Sequence, residues 1–421
     1  MNNIEPWNCE GVSARELAER FGTPTYIYSL QTLKARWFAY KNALNALPHL
    51  ICYAVKANSN LALLTVLAKL GAGFDVVSGG ELQRVLRAGG QAQHSVFSGV
   101  GKQPWEMQLA LSAGIHSFNV ESAAELRQLE QVAQSMRLIA PISLRVNPDV
   151  DAQTHPYIAT GLKENKFGIP MEDALPLYLE AARSPHLRIR GIDCHIGSQL
   201  LSLSPFTEAL EKILGLIDQL AAAGISLGHL NIGGGLGVAY RPEEIAPSPE
   251  EYIAQLQPLL QHRSLTLLCE PGRSLIADAG TLLTRVILLK PGQHKNFAVV
   301  DAAMNDLLRP TLYGAWMNIQ EAEPSSPTTL AESKVWDIVG PVCETGDFLG
   351  KDRQLNLHPD SLLVVTQAGA YGMSMSSNYN TRCRSAEVLV DRGQCHLIRR
   401  RESLDDLLAT ESALPESFHV A

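Results

Sequence analysis

Basic charge is scarce in this chain: 35 lysines and arginines stand against 43 aspartates and glutamates, a formal net charge of −8. No clustered basic stripe offsets that balance, so neither a nucleic-acid backbone nor an anionic membrane surface is an expected partner. The basic run Arg399-Arg400-Arg401 is short and reads as a solvated element end. Paired cysteines are missing too. The seven, Cys9, Cys52, Cys194, Cys269, Cys343, Cys383 and Cys395, are odd in number and scattered, with no Cys-x-x-Cys spacing of the metal or redox type. That usage fits a reducing cytoplasm. No window approaches the length of an apolar membrane span, and the stretch from Met1 to Pro6 has neither the basic region nor the apolar core of a secretory signal. A soluble cytoplasmic protein is expected. Long low-complexity tracts are absent as well.

What the chain does have is length. At 421 residues it exceeds the size at which one hydrophobic core usually stops growing, so two domains are expected. Ser13-Ala14-Arg15-Glu16 has the form of a capping box and predicts a short helix ending near Gly22, before the strand-like Thr25 to Tyr28. From Gln31 to Ala46 apolar residues recur at helical spacing. Eight short strand candidates follow, starting near Ile51, Gly73, Ser95, His116, Pro141, Arg188, His229 and Leu265, each trailed by a helical or turn-like segment. Such alternation over roughly 220 residues matches a (β/α)8 TIM barrel, about 250 residues in typical cases, better than an open doubly wound sheet.

After Arg273 the rhythm becomes strand-like without long helices: Leu282 to Leu289, Phe297 to Val300, Val335 to Val339, Leu362 to Thr366, Ala386 to Val390 and Cys395 to Arg399. The expected class is therefore α/β, a barrel plus a C-terminal antiparallel β domain. Residues 1–30 are expected to pack with the β domain, residues 31–280 to form the barrel and residues 281–421 to form the β domain. Residues 321–332, rich in Pro, Ser and Thr, read as a surface loop. Residues 160–168 mix charge with flanking glycines and read either as a lid over substrate or as an ordinary loop.

The strand ends carry the chemistry. The run Ile51 to Val55 delivers one amine, Lys56, to a turn, and an amine so held can form a Schiff base with an aldehyde cofactor. Taken alone it reads as a solvated lysine. Its company argues otherwise: the other strand ends bring Asp75 with Ser78, Ser98, Asn119 with Glu121, Asn147, His195, Gly233 to Gly235, and Glu270. Polar groups converging on the carboxyl ends of parallel strands are what the active face of such a barrel presents. The glycine run would let backbone amides approach a phosphate after the seventh strand, although a glycine run by itself is usually just a turn. Glu270 is expected beside a cationic ring nitrogen, against the plainer reading of a solvated carboxylate. His195 has no second His or Cys at ligand spacing, so a ring stacked on a flat cofactor is the better reading than a metal ligand.

These residues, taken in order, carry a resemblance. Tyr53-Ala54-Val55-Lys56-Ala57-Asn58, Phe74-Asp75-Val76-Val77-Ser78, His195-Ile196-Gly197-Ser198-Gln199, Gly233-Gly234-Gly235, Glu270-Pro271-Gly272-Arg273, Cys343-Glu344-Thr345-Gly346-Asp347 and Gly369-Ala370-Tyr371-Gly372 resemble the signatures of the diaminopimelate decarboxylases, from about Thr23 to Glu402. The resemblance implies pyridoxal 5'-phosphate held by Lys56, with His195 stacked on its ring, Glu270 at its nitrogen and Asp75 among its binding residues. It further implies that the phosphate lies against Gly234, Gly235 and the loop from Glu270 through Gly272 to Arg273, with Ser198 and Tyr371 adding hydroxyls. Arg273, Arg309, Tyr313 and Tyr371 would meet the substrate, Glu344 its far ammonium, and Cys343 would protonate the carbon that loses carbon dioxide. In the family, Cys343 and Glu344 come from the other subunit of a homodimer. Guanidinium groups suit a carboxylate and a carboxylate suits an ammonium, so the implied roles are chemically consistent.

Three competitors define the reading. A decarboxylase of ornithine, arginine or a carboxylated polyamine would leave Arg273 and Arg309 as unpaired cations facing its substrate. A racemase of this fold would temper the ring nitrogen with an arginine, where this chain has Glu270. A noncatalytic cofactor-binding regulator should have lost Lys56 or Cys343, and both are present. The expected reaction is decarboxylation of meso-2,6-diaminopimelate to L-lysine.

Overall fold

Eight short runs between helical stretches become the parallel strands of a closed barrel in the computed structural model, which describes residues 5–151, 166–323 and 333–415. They are β1 His49–Ala54, β2 Gly73–Val76, β3 Ser95–Phe97, β4 Ser117–Val120, β5 Ala140–Asn147, β6 Leu187–Asp193, β7 His229–Asn231 and β8 Thr266–Cys269. Neighbours pair from β6 through β7, β8 and β1 round to β5, and β5 pairs with β6 to close the ring. Each begins within two residues of the start read from the sequence. β2, β3 and β4 are buried along their whole length, as strands walled by helices outside and side chains inside must be.

Capped helices fix where each strand ends. Asn60 accepts from the Ala62 amide at 2.9 Å ahead of helix Leu61–Lys69, and Ser78 from the Glu81 amide at 3.2 Å ahead of Gly79–Arg87. Ser122 accepts from the Glu125 amide at 3.1 Å ahead of Ala123–Met136. Each cap satisfies an otherwise orphaned helix amide within a few residues of the strand, so little chain is left over for the strand-end side chains to wander.

The barrel floor is apolar on one side, where Cys52, Val96 and Leu268 pack with Leu50. On the other it is polar: His229 bonds Ser143 Oγ through Nε2 at 2.7 Å and His116 through Nδ1 at 3.3 Å. Gly191 of β6 makes room for that ring. A Cβ there would stand 2.3 Å from the His229 ring and 2.4 Å from its carbonyl oxygen. Because the backbone oxygen belongs to the paired strand and cannot swing away, Gly191→Ala is expected to cost about 3 kcal/mol, at the upper end of overpacking penalties, read as a lowered urea midpoint at unchanged slope.

The second unit comprises the described parts of Met1–Ser29, Gly280–Ala368 and Met375–Ala421. Its long strand Gly280–Lys290 pairs antiparallel with Thr25–Ser29, Phe297–Val300 and Leu362–Val365. The sheet is not wholly antiparallel. Thr25–Ser29 lies parallel to Ala386–Asp391, and Phe297–Val300 parallel to Lys334–Val339. Among the described residues four strands of this unit were not anticipated, the two-residue pair Asn8–Cys9 and Val12–Ser13 and the longer Ile319–Glu321 and Phe348–Leu355, the last carrying Gly, Lys, Asp and Arg across its middle, which hides its alternation. The helix Ala14–Phe21 begins at Ser13, whose hydroxyl accepts from the Glu16 amide, while the Glu16 side chain pairs with Arg20. Residues 324–332 of the expected surface loop and 160–165 of the possible lid lie outside the described residues. Among the described residues no helix is long and apolar enough to cross a membrane.

Candidate active site

Lys56 reaches the barrel mouth because β1 ends at Ala54 and passes into a single tight turn, Val55–Ala57. Its Nζ donates to Asp75 Oδ2 at 2.6 Å, from the strand paired alongside. Desolvation opposes a charge there, yet Asp75, followed by Tyr371 and Glu270, outweighs it, so the ammonium titrates above the ordinary lysine value. Asp75 is fully buried, and its Oδ1 has no hydrogen-bond partner among the described residues.

Beneath the mouth the barrel is filled with polar side chains. Buried Glu270, just past β8, accepts at Oε1 from Asn231 at 2.6 Å and from Asn119 at 3.3 Å. Burial, reinforced by repulsion from Asp75 and Asp193, pushes its carboxyl well above the usual range. Arg145 of β5 bonds Glu121 at 3.0 Å and lies 3.9 Å from Asp193 of β6. Burial pushes Asp193 up to about 7 against the opposing pull of Arg145. Two cations, Lys56 and Arg145, thus share this layer with four carboxylates, those of Asp75, Glu121, Asp193 and Glu270. The surplus of acid is what makes the layer hold protons near neutrality, and it favours a cationic ring lodged above it.

His195 follows β6, and its Nδ1 accepts from the Gly234 amide at 3.2 Å. Desolvation, then the charges of Arg145 and Lys56, keep the ring neutral by lowering its pKa well below the usual histidine value. Opposite, Asn231 Oδ1 accepts from the Gly233 amide at 2.9 Å and pins the start of the glycine turn. The turn has no room for side chains: a Cβ at Gly234 would stand 2.3 Å from the Glu270 carbonyl oxygen, and one at Gly235, whose φ is +105°, 2.7 Å from that of Gly197. Bare backbone of this kind is an anion cradle.

Arg273 completes the rim. Its Nη2 donates to Ser198 Oγ at 3.0 Å, and its guanidinium carbon lies 4.9 Å from the Tyr371 ring centre. Tyr371 comes from far along the sequence. Its segment, Gly369–Ser374, leaves the β unit and belongs to the barrel unit, where the Tyr371 amide donates to the Ala57 carbonyl at 2.8 Å and Asn58 donates to the Gly369 carbonyl at 3.1 Å. Tyr371 has φ +56°, an unfavourable conformation for a bulky residue that these staples to the Lys56 turn maintain. A Cβ on Gly272 would meet the methyls of Ala54 and Ala57 at 3.1 Å, so the loop after β8 packs directly on that same turn.

The remaining expected residues lie on the β unit. Arg309 is buried in the helix Arg309–Tyr313, donating to Met317 Sδ at 3.3 Å, and Tyr313 is half-buried. Cys343 and Glu344 are exposed in one turn, held by Asn380 Oδ1, which accepts from the Cys343 amide at 2.8 Å, and by the Tyr379 hydroxyl, 3.4 Å from Glu344 Oε2. Thr311 Oγ1 donates to the Gly346 carbonyl at 2.7 Å and ties the helix to that turn.

The structure therefore gathers Lys56, Asp75, His195, Ser198, Gly234, Gly235, Glu270, Gly272, Arg273 and Tyr371 at one barrel mouth, and Arg309, Tyr313, Cys343 and Glu344 into one region of the β unit. Sequence reasoning missed Arg145, Asp193, Asn231 and Tyr240, whose hydroxyl accepts from Arg273 Nη1 at 2.8 Å, while Asn380, which reads from the sequence as either scaffold or contact, holds the Cys343 turn. For Arg145 a signal existed: Ser143, Arg145 and Asn147 alternate along β5 as a polar face pointing into the barrel.

Comparison with known proteins points to one family. Residues 30–277 match the pyridoxal-binding domain of the pyridoxal-dependent decarboxylases. A diaminopimelate decarboxylase of Pseudomonas aeruginosa is 58% identical over 97% of this chain and 97% of its own. Among solved structures, that of the Helicobacter pylori diaminopimelate decarboxylase complexed with L-lysine superposes with a TM-score of 0.90 at 44% identity, covering 94% of this chain and 98% of that one. The M. jannaschii enzyme, also with L-lysine, gives 0.93 at 36% identity over 99% and 98%.

Proposed function

The chain belongs to the diaminopimelate decarboxylases, and on that premise we propose that it removes carbon dioxide from meso-2,6-diaminopimelate to leave L-lysine, with pyridoxal 5'-phosphate as cofactor. The observation that carries the reading is Lys56, fixed at 2.6 Å from Asp75 in the same mouth as buried Glu270 and a neutral His195. The residues present fit the cofactor. An acid-rich layer suits a cationic pyridine ring, the glycine turn suits a phosphate, and the one amine among them suits an aldehyde.

When bound, pyridoxal phosphate supplies an electron sink for the pair left behind by departing carbon dioxide. Lys56 binds its aldehyde through Nζ, with Asp75 orienting that amine. Glu270, braced by Asn231 and Asn119, holds a proton at the ring nitrogen. His195 packs an uncharged ring against the cofactor, and Gly234 and Gly235 with Ser198 and Tyr371 bind the phosphate. Arg273, Arg309 and Tyr313 bind the distal carboxylate of the substrate, and Glu344 takes the distal ammonium. Cys343 delivers a proton to the carbon that lost its carboxylate. Family membership supports a cytoplasmic homodimer in which a second copy supplies Cys343 and Glu344.

The test is carbon dioxide release by the purified holoenzyme from meso-diaminopimelate, ornithine, arginine and lysine, with the amine product identified. Release from meso-diaminopimelate alone, with lysine formed, is the expected result. Release from one of the others in its place would overturn the assignment of the distal pocket.

A further inference from the structure

We propose that Tyr240 is a positioning residue that aims Arg273 and thereby sets affinity for the distal carboxylate, an inference that rests on the reading of Arg273 as that carboxylate's partner. Tyr240 is buried, five residues beyond Gly235, and its hydroxyl accepts from Arg273 Nη1 at 2.8 Å. Ser198 takes the other terminal nitrogen, Nη2, at 3.0 Å. The guanidinium carbon also lies 5.8 Å from the Tyr240 ring centre and 4.9 Å from that of Tyr371. Two hydroxyls and two rings therefore set both the rotation and the tilt of a side chain that otherwise has many rotamers.

Tyr240 is itself anchored. Its amide donates to Glu244 Oε2 at 2.9 Å, and the side chain of Gln199 bonds both the amide and the carbonyl of Val238, at 3.2 and 2.6 Å. The chemistry of these partners matters as much as their position. Tyr240, Ser198 and Tyr371 meet the guanidinium with hydroxyls and rings and so orient it without setting a carboxylate against it, whereas a carboxylate in the place of Tyr240 would compete with the substrate. A planar fork held in advance loses less freedom when a carboxylate arrives. The device selects amino acids that keep a second carboxylate over plain diamines.

In the holoenzyme, Tyr240→Phe keeps the ring and removes the hydroxyl. KM for meso-diaminopimelate should rise about tenfold, with kcat within about twofold and the cofactor absorbance unchanged. Inhibition by lysine, which retains a carboxylate, should weaken in parallel, while inhibition by the diamine of the same chain length should not. Arg273→Gln is measured beside it, and in that background Tyr240→Phe should add less than about twofold. If Arg273→Gln leaves KM unchanged, the reading of Arg273 fails and takes the proposal with it. If Arg273→Gln raises KM but Tyr240→Phe does not, or if Tyr240→Phe acts as strongly without Arg273, the proposal alone is overturned. Loss of bound cofactor in Tyr240→Phe would likewise overturn it, by showing a role in the fold.

Discussion

Lys56→Ala should bind pyridoxal phosphate without the visible absorbance of a lysine-bound cofactor and should lose turnover by at least about a thousandfold. The expectation rests on placement. Lys56 is the amine set beside Asp75 in this mouth, and Lys102, a buried lysine of the same barrel, is committed to Glu125 at 2.6 Å and to the carbonyls of Gly99 and Asn119, both at 2.8 Å. That lysine is therefore not free to substitute for it. The cofactor-free variant should also be less stable, because Asp75 keeps its buried carboxylate and loses its cation. Breaking a buried pair costs about 3–5 kcal/mol, and the loss here should be smaller because the Lys56 side chain is 37% exposed. An absorbance spectrum and a turnover assay on the same preparation suffice; turnover retained at even a tenth of the native value would remove Lys56 from its role.

Glu270→Gln should separate activity from stability. The amide keeps the shape and can still accept from Asn231 and Asn119, but it cannot hold a proton at the ring nitrogen, so turnover should fall by about 10²–10³ with cofactor bound. Stability should move the other way. The native carboxyl titrates well above its ordinary value of 4.5, so the folded state takes up a proton that the unfolded chain has released. Its contribution is therefore most favourable at acid pH and is lost as pH rises above the unfolded value. In cofactor-free protein at pH 8, Glu270→Gln should melt higher than the native chain by on the order of 2 °C or more, with the gap closing toward pH 4. Melting curves across that range check it, and a variant that melts lower at pH 8 would show that Glu270 is ionised and well compensated.

The parts of the site that were readable in the chain are those where a local pattern coincides with a functional position. Lys56, Asp75, His195 and Glu270 each sit within two residues of a strand end, and a strand end is marked by the change from apolar run to cap or glycine. Arg145 and Asp193 were passed over because a charged residue near an apolar run reads as solvated by default, and only closure of the ring through β5 and β6 turns that face inward. Tyr371 was legible as a motif but not as a neighbour of Lys56. Its segment joins the barrel unit by backbone hydrogen bonds to Ala57 and Ala277 that no spacing encodes.

By itself the sequence determined the eight-fold alternation, the break in rhythm after Arg273 and the residue types at the strand ends, because these depend on local periodicity, capping and glycine placement. Tertiary structure alone decided which of those residues share a charge. The layer of two cations and four carboxylates exists only once parallel strands curve through a full circle, and the protonation of Glu270, Asp193 and Lys56 follows from that enclosure. Desolvation and Coulomb coupling act through space, over a few ångströms, between groups as far apart along the chain as Lys56 and Tyr371.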